Sequence, residues 1–200
     1  PSGAFTTAAG MVAITEKALK DKFSENFTDK KVVILGGTGP VGVASAVISA
    51  KAGNTVLLVG RSLEKAESIA KICNEKYGSK SVSGAVDSEK ASFLADADVV
   101  FNTGAAGIQL MNDELIKNAV NLKICADVNA VPPAGISGIE AMDNVVAMKN
   151  SKSGCFGIGA LAIGNIKYKS QHDCLKLMYN CDKPVYLHFE HAFEFAQKNV

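Results

Sequence analysis

The fold can be inferred from one segment, Lys31-Val-Val-Ile-Leu-Gly-Gly-Thr-Gly-Pro-Val-Gly42. Its first five residues form the short apolar run that is typical of a buried parallel strand. The remainder matches GxGxxG, in which Gly37 permits a tight turn, Gly39 lets the backbone approach a pyrophosphate, and Gly42 lets the next helix pack closely. The amides at the start of that helix would hydrogen-bond phosphates. This context favours dinucleotide binding over the alternative, a glycine-rich connector in a flavodoxin-like fold.

Short apolar strands alternate with helical patterns on both sides of this segment. The predicted strands are 31–35, 55–59, 81–86, 98–103, 122–128 and 145–148. The predicted helices are 6–22, 43–52, 62–77, 88–95, 113–118, 161–179 and 186–197. This alternation predicts βαβ units, and therefore an α/β fold with a Rossmann-like, doubly wound parallel sheet and flanking helices.

Composition excludes several classes of protein. The 200 residues are 48% hydrophobic and 20% charged, which excludes a disordered or low-complexity chain. A net charge of +1 without a basic block argues against a nucleic-acid or membrane-surface partner. The longest nearly uncharged apolar run, 156–166, is too short to span a bilayer, and no secretion signal is found. Five scattered cysteines without a CxxC pair indicate free thiols, so we expect a cytoplasmic protein.

The end of the second predicted strand selects the dinucleotide. Enzymes that use NAD carry an acidic residue there, which accepts a hydrogen bond from the ribose 2′-hydroxyl. This chain has Gly60-Arg61-Ser62 instead, with Lys65 one helical turn later. Arg61 is the only arginine in the chain, and a guanidinium group suits a 2′-phosphate. The sequence therefore predicts NADP; the alternative is that Arg61 is a solvated loop residue.

Several oxidoreductase signatures are absent. No YxxxK motif is present, and the three histidines all lie in the last thirty residues. Cys174, Cys181, His188 and His191 have no familiar zinc-ligand spacing, so we interpret them as residues of amphipathic helices and expect no metal. The nucleotide site thus lacks an obvious proton-transfer residue. A reaction that moves only a hydride fits this site, such as oxidation of a carbon between two nitrogens.

The motifs resemble those of the NADP-dependent methylene-tetrahydromethanopterin dehydrogenase family. The similarity runs from Thr6 to about Leu177, and beyond Tyr179 the chain matches the family poorly. It is carried by the segments Thr6-Thr-Ala-Ala-Gly10, Val33-Ile-Leu-Gly-Gly-Thr-Gly-Pro-Val-Gly42, Gly60-Arg-Ser-Leu-Glu-Lys65, Phe101-Asn-Thr-Gly-Ala-Ala-Gly107, Ala126-Asp-Val-Asn-Ala-Val-Pro-Pro-Ala-Gly-Ile136 and Phe156-Gly-Ile-Gly-Ala-Leu-Ala-Ile-Gly-Asn-Ile-Lys167.

The resemblance implies hydride transfer from the methylene group of a tetrahydropterin one-carbon carrier to NADP, giving the methenyl form. The carrier is methylene-tetrahydromethanopterin or methylene-tetrahydrofolate. It also implies three regions: a connecting helix from an absent upstream substrate domain (1–28), an NADP-binding Rossmann domain (29–155) and C-terminal helices (156–200). We expect a homo-oligomer whose small-molecule partner is the tetrahydropterin.

The resemblance also assigns cofactor-binding residues. In the glycine loop, which begins at Gly37 and ends at Gly42, the pyrophosphate is cradled by Thr38, Gly39, Pro40 and Val41. The 2′-phosphate is held by Arg61, Ser62 and Lys65. The nicotinamide ribose lies on Thr103, Gly104 and Ala105, next to Asn129 and Pro132 from the following strand end, and the ring pocket is lined by Gly159 to Leu161.

One residue is assigned a place near the reacting carbon. Lys167 would orient the pterin or modulate charge there, which makes it the candidate catalytic residue; the alternative is a surface lysine on the long helix. Asp127 is interpreted as a residue of a turn at a strand end. No acid or base is required, because catalysis comes from holding the donor carbon against the nicotinamide.

Two other functions fit the same nucleotide domain. A shikimate- or glutamate-semialdehyde-type NADP reductase would keep its Lys/Asp pair or nucleophilic cysteine outside this segment. A non-catalytic NADP-sensing module would bind the nucleotide and turn over no carrier.

Overall fold

The computed structural model describes residues 3–200. The strands are β1 (Lys31–Leu35), β2 (Thr55–Gly60), β3 (Val82–Val86), β4 (Val99–Asn102), β5 (Ile124–Asp127), β6 (Asn144–Ala147) and β7 (Phe156–Ile158). The α-helices are α1 (Ala4–Phe23), α2 (Pro40–Lys51), α3 (Leu63–Tyr77), α4 (Lys90–Leu94), α5 (Asp113–Asn118), α6 (Ala160–Tyr179) and α7 (Phe189–Lys198). A short 3-10 helix, Asp87–Glu89, precedes α4.

All seven strands form one sheet in the order β3-β2-β1-β4-β5-β7-β6. Every pairing is parallel except that of β6 with β7, so β6 is an antiparallel edge strand. The strand order reverses between β1 and β4, and in such sheets this reversal opens a crevice at the carboxyl ends of the strands. This arrangement confirms the predicted Rossmann-like fold.

The central strands β1, β4 and β5 are buried on both faces: alternate residues of a strand point to opposite sides of the sheet, and helices cover each side. Val32 and Ile34 pack into a core cluster with α1, α2, α3, α6 and α7. Val33 and Leu35 pack into a second cluster on the other face, together with residues of α4 and α5. None of the helices formed by residues 3–200 is both long and apolar enough to cross a membrane.

The element boundaries differ from the prediction in two places that matter for the site. Helix α2 begins at Pro40 rather than residue 43, so the end of the glycine loop is already helical. The sequence interpretation also missed β7, which lies at the start of the region assigned to C-terminal helices. This strand has only three residues with Gly157 in the middle, and its strand conformation depends on pairing with β5 and β6.

Candidate functional site

The glycine loop lies where the predicted chemistry requires it, between the carboxyl end of β1 and the start of α2. A Cβ atom on Gly42 would lie 2.4 Å from the carbonyl oxygen of Gly37, so the loop closes on itself only without a side chain there. A Cβ atom on Gly39 would have no heavy atom within 4 Å. Gly39 also precedes α2 with no side chain capping the helix, so amides at its start are available to a ligand. A pyrophosphate group fits this open, amide-lined space.

The loop after β4 closes the other side of the crevice. Gly36 has a φ of 64°, and a Cβ atom there would lie 2.5 Å from the Cα of Gly104. Thr103 donates hydrogen bonds from its backbone nitrogen and its Oγ1 to the carbonyl of Leu35, at 2.9 and 3.1 Å. Contact between these two loops places Thr103, Gly104 and Ala105 beside the glycine loop.

Residues 61–65, after the carboxyl end of β2, are all exposed, and three of them (Arg61, Ser62 and Lys65) carry hydrogen-bond donors. Ser62 is the N-cap of α3, and its Oγ accepts a hydrogen bond from the backbone nitrogen of Lys65 at 3.3 Å. Arg61 and Lys65 make no ion pair or side-chain hydrogen bond with any residue in 3–200. Two cations and a hydroxyl group at one helix N-terminus therefore remain open to solvent. This donor set suits a phosphate ester.

A buried polar network that the sequence interpretation missed underlies the β4 and β5 ends. Asn102 is fully buried, and its Nδ2 donates to Oδ1 of Asp127 at 2.6 Å. Asp127 is 1% exposed and also accepts from the backbone nitrogens of Asn129 and Ile136, at 2.9 and 3.0 Å. Its role therefore exceeds that of a turn residue. The only available signal was the polar residue that ends each of two neighbouring apolar strands.

Asn129 extends this network through the loop after β5. Its Oδ1 accepts from the backbone nitrogens of Val131 and Gly107, at 2.9 and 3.4 Å, and its Nδ2 donates to the carbonyl of Pro133 at 3.0 Å. Its amide group is thus engaged within the protein. Pro132 is exposed, and the peptide bond that joins it to Pro133 is cis.

Gly159 lies at the carboxyl end of β7 and is the N-cap of α6, which has no side-chain cap. Its backbone nitrogen donates to the carbonyl of Asp143 at 2.8 Å, and a Cβ atom would lie 2.1 Å from the carbonyl oxygen of Glu140. Leu161, in the first turn, is 53% exposed. Apart from Lys167, every predicted site residue thus follows the carboxyl end of a parallel strand, on one edge of the sheet.

Lys167 lies about two turns into α6, away from this edge. Its side chain is half-buried against the start of α1, where a Cβ atom on Gly3 would lie 3.0 Å from Nζ. It makes no ion pair with any residue that the structure describes. Within residues 3–200, no ion pair or side-chain hydrogen bond links Lys167 to the loops at the crevice.

The environments of His188 and of the cysteines indicate packing roles and not ligand binding. His188 is the N-cap of α7, and its ring lies 4.1 and 4.9 Å from the rings of Phe189 and Phe5. Among residues 3–200, no three His, Cys, Asp or Glu side chains are grouped so that they could hold a metal ion. All five cysteines are free thiols, and burial raises the pKa of Cys73 to about 11. Such a thiol is a poor nucleophile.

Comparison with known proteins identifies the family. A family model described as Shikimate / quinate 5-dehydrogenase matches residues 17–149. The crystal structure of shikimate dehydrogenase from Aquifex aeolicus superposes with a TM-score of 0.58 at 19% identity, covering 96% of this chain and 60% of that one. This likeness supports the fold alone.

Two curated relatives come from Methylorubrum extorquens. The NAD(P)-dependent methylenetetrahydromethanopterin dehydrogenase is 38% identical over 199 residues, which is 98% of this chain and 66% of that protein. The bifunctional protein MdtA is 35% identical over 187 residues, which is 92% of this chain and 62% of that protein. The chain thus spans slightly less than two thirds of the length of each relative. These identities confirm the resemblance that the sequence motifs indicated.

Proposed function

The chain belongs to the Shikimate / quinate 5-dehydrogenase family, and from that premise we propose that it is an oxidoreductase that transfers a hydride from a methylene-tetrahydropterin to NADP. The substrate is methylene-tetrahydromethanopterin or methylene-tetrahydrofolate, and the product is its methenyl form. The name of the 38% identical relative supports this choice of reaction.

The observation that carries the proposal is the pair of unpartnered cations after β2. Arg61 and Lys65 are exposed beside the N-cap residue Ser62, and no carboxylate pairs with either of them within residues 3–200. An acidic residue at this strand end would favour NAD and repel a 2′-phosphate. The donor set thus favours NADP, with its pyrophosphate over Gly39.

NADP supplies the hydride acceptor when it is bound. The chain supplies position: the amides of Val41 and Gly42 would bind the pyrophosphate, and the loop of Thr103, Gly104 and Ala105 would support the nicotinamide ribose. The two nitrogens beside the methylene carbon stabilise the cation that remains, so no side chain needs to move a proton. We propose that Gly159 and Leu161 exclude water from the ring pocket, and that Lys167 orients the pterin.

The wider organisation is also a proposal. The curated relatives are longer than their aligned regions. We propose that a smaller domain, outside the aligned region, forms the opposite wall of the pterin site. We further propose a homo-oligomer in the cytoplasm. Free thiols at all five cysteines support a reducing compartment.

The test is NADP reduction by the purified full-length protein, with the proposed smaller domain present, on methylene-tetrahydromethanopterin and, separately, on methylene-tetrahydrofolate. The expected result is turnover on at least one carrier, and the ratio of the two kcat/KM values identifies the preferred one. The same assay with NAD measures the preference for the 2′-phosphate. Binding of NADP without turnover on either carrier would contradict the proposed reaction.

The family match favours a second candidate, a shikimate-type NADP reductase. Oxidation of shikimate or quinate in the same assay separates the two reactions. Turnover on shikimate alone would select the reductase. Tight NADP binding with no turnover on any of these substrates would favour the sensing module.

A further inference from the structure

One buried carboxylate holds together the two loops that border the nicotinamide side of the crevice. Asp127 accepts three N–H hydrogen bonds, from Asn102 Nδ2 at 2.6 Å and from the backbone nitrogens of Asn129 and Ile136 at 2.9 and 3.0 Å. These donors belong to the end of β4 and to two positions in the segment that follows β5. Asp127 is 1% exposed, so its carboxylate is shielded from bulk solvent.

Two asparagines that donate to Asp127, Asn102 from its side chain and Asn129 from its backbone nitrogen, carry its effect to the crevice. Asn102 Oδ1 accepts from the backbone nitrogen of Gly104 at 3.1 Å, which fixes the first turn of the β4 loop. Asn129, oriented through its own backbone bond to Asp127, links Gly107 to Val131. A chain of hydrogen bonds therefore runs from Gly104, through the carboxylate, to the loop containing Val131.

The backbone at Gly135 packs directly against this pair. A Cβ atom on Gly135 would lie 1.7 Å from Asn102 Nδ2 and 3.1 Å from Asp127 Oδ1. The backbone of the β5 loop is therefore pressed against the amide–carboxylate pair. A buried charge is weak evidence for stability, because an apolar pair of similar volume often stabilises a protein as well or better. The position of Asp127 between two ligand-facing loops therefore favours a role in fixing those loops over a role in stability.

We propose that Asp127 and Asn102 are positioning residues for the nicotinamide half of the dinucleotide. They contact neither substrate nor cofactor; they hold the β4 and β5 loops in the register that places the ring against its hydride donor. The adenosine half lies on β1, β2 and α3, outside this network. The inference rests on the proposed dinucleotide site, and it predicts that disturbing the pair affects one half of the ligand only.

Three variants test the proposal. Asn102→Asp places two carboxylates at a contact of 2.6 Å, so mutual repulsion should separate the loops. Asp127→Asn removes an acceptor from at least one of the three donors. The exchange Asn102→Asp with Asp127→Asn restores the bond between the two side chains and an acceptor for Ile136, and leaves the Asn129 nitrogen unpaired. We therefore expect the double variant to recover part of the loss in Asn102→Asp.

The measurement is calorimetric affinity for two ligands, the dinucleotide that the wild type binds and its adenosine half, which is 2′,5′-ADP for NADP. Affinity for the adenosine half should change less than about twofold, because that subsite is distant from the pair. In Asn102→Asp, the affinity for the dinucleotide should fall about tenfold more than the affinity for the adenosine half. The hydride-transfer rate should fall about 100-fold, the usual cost of an ångström-scale displacement.

A purely structural role gives a different pattern. It predicts a lower Tm with both affinities and the rate unchanged, or an equal loss for the two ligands; either outcome would overturn the proposal. The matched control is Asn54→Ala, which removes a buried side chain that bridges loops at the opposite edge of the sheet, and which should lower Tm alone. Dinucleotide binding by the wild type without turnover would reject the proposed reaction and leave this affinity test intact. A wild type that binds no dinucleotide would overturn both.

Discussion

The two edges of the sheet use polar groups in opposite ways. At the amino edge, where the amino ends of the parallel strands lie, Lys123 pairs with Glu25 at 2.8 Å and with Asp98 at 3.3 Å. Glu25 also pairs with Lys30 at 2.6 Å. At the carboxyl edge, Arg61 and Lys65 have no partner within residues 3–200, and neither α2 nor α6 has a side-chain cap. One edge is closed by groups that satisfy each other. The other exposes donors that a phosphate-bearing ligand can satisfy, which is how a binding edge differs from a structural one.

The pKa values at the amino edge reflect this closure. Hydrogen bonds from Lys123 and then Lys30 hold the pKa of Glu25 below its usual value. Desolvation lowers the pKa of Lys123, but hydrogen bonds to Glu25 and Asp98 outweigh it and raise the pKa overall. Each partner thus stabilises the charged form of the other.

The largest expected effect is at the glycine loop. Gly39→Val should weaken NADP and NAD by about 1,000-fold, or about 4 kcal/mol, because the side chain would occupy the space of the pyrophosphate. The fold should tolerate it, since Gly39 has φ −85° and ψ 172° and its Cβ position is open. Binding by calorimetry and Tm by circular dichroism check the two halves of this expectation. Retained affinity would show that the phosphates bind elsewhere.

The next effect belongs to the amino edge. Asn54 is 1% exposed, accepts from the Lys30 nitrogen, and donates to the carbonyls of Phe27 and Ser49. Asn54→Ala should lower the free energy of unfolding by about 3 kcal/mol, because buried backbone groups lose their partners. Urea unfolding measures the loss, and NADP affinity should stay at the wild-type value. A parallel loss of affinity would mean that the two edges are coupled.

Arg61→Ala should affect the carboxyl edge alone. The loss of a charge-assisted bond to the 2′-phosphate should weaken NADP by about 2 kcal/mol, close to 30-fold, and leave NAD nearly unchanged. The Kd values for the two dinucleotides provide the ratio, and Lys149→Ala, at an exposed lysine outside the site, is the matched charge control. Equal losses for NADP and NAD would reject the 2′-phosphate assignment.

The smallest effect concerns pH. Because the pKa of Glu25 is lower in the folded chain than its ordinary value of 4.5, the unfolded chain binds the proton first as the pH falls. The stabilisation is therefore complete above pH 4.5 and is lost as the pH falls through the folded-state pKa. Glu25→Gln should remove this acid-dependent part, about 0.5 kcal/mol, since a third of the side chain is exposed and water screens the pair. Urea midpoints between pH 3 and 6, a range chosen to bracket these values, should then vary less in Glu25→Gln.

The parts of the site that local sequence encodes could be predicted. Gly37, Gly39 and Gly42 lie within six residues and follow an apolar strand, so their position between β1 and α2 follows from local sequence. Arg61 and Ser62 could be placed because the second strand ends immediately before them. In each case, the physical requirement and the residues that meet it are neighbours in the chain.

The rest depends on pairing between distant segments. Asn102 and Asp127 are separated by 25 positions and meet only because β4 and β5 pair in the register that sets these residues opposite each other. The sequence alone does not give this pairing register, so it gives no reason to expect a contact between Asn102 and Asp127. Strand β7 was missed for the same reason, since Phe156-Gly-Ile158 owes its extended conformation to its neighbours. Lys167 illustrates the converse, because helical spacing gives its position on α6 but not the start of α1, against which its side chain lies.

The contact between the β1 and β4 ends also bears on how the chain reaches its native state. Thr103 bonds to Leu35 across 68 positions, so this central pairing carries a large loop-closure cost and forms slowly compared with local helices. A portion of the chain that lacks either strand end lacks one wall of the crevice. A dinucleotide therefore binds only chains that have completed this pairing, and at 100 times its Kd it would add about 2.7 kcal/mol to their stability. A supply of dinucleotide would thus raise the folded fraction of the newly made chain.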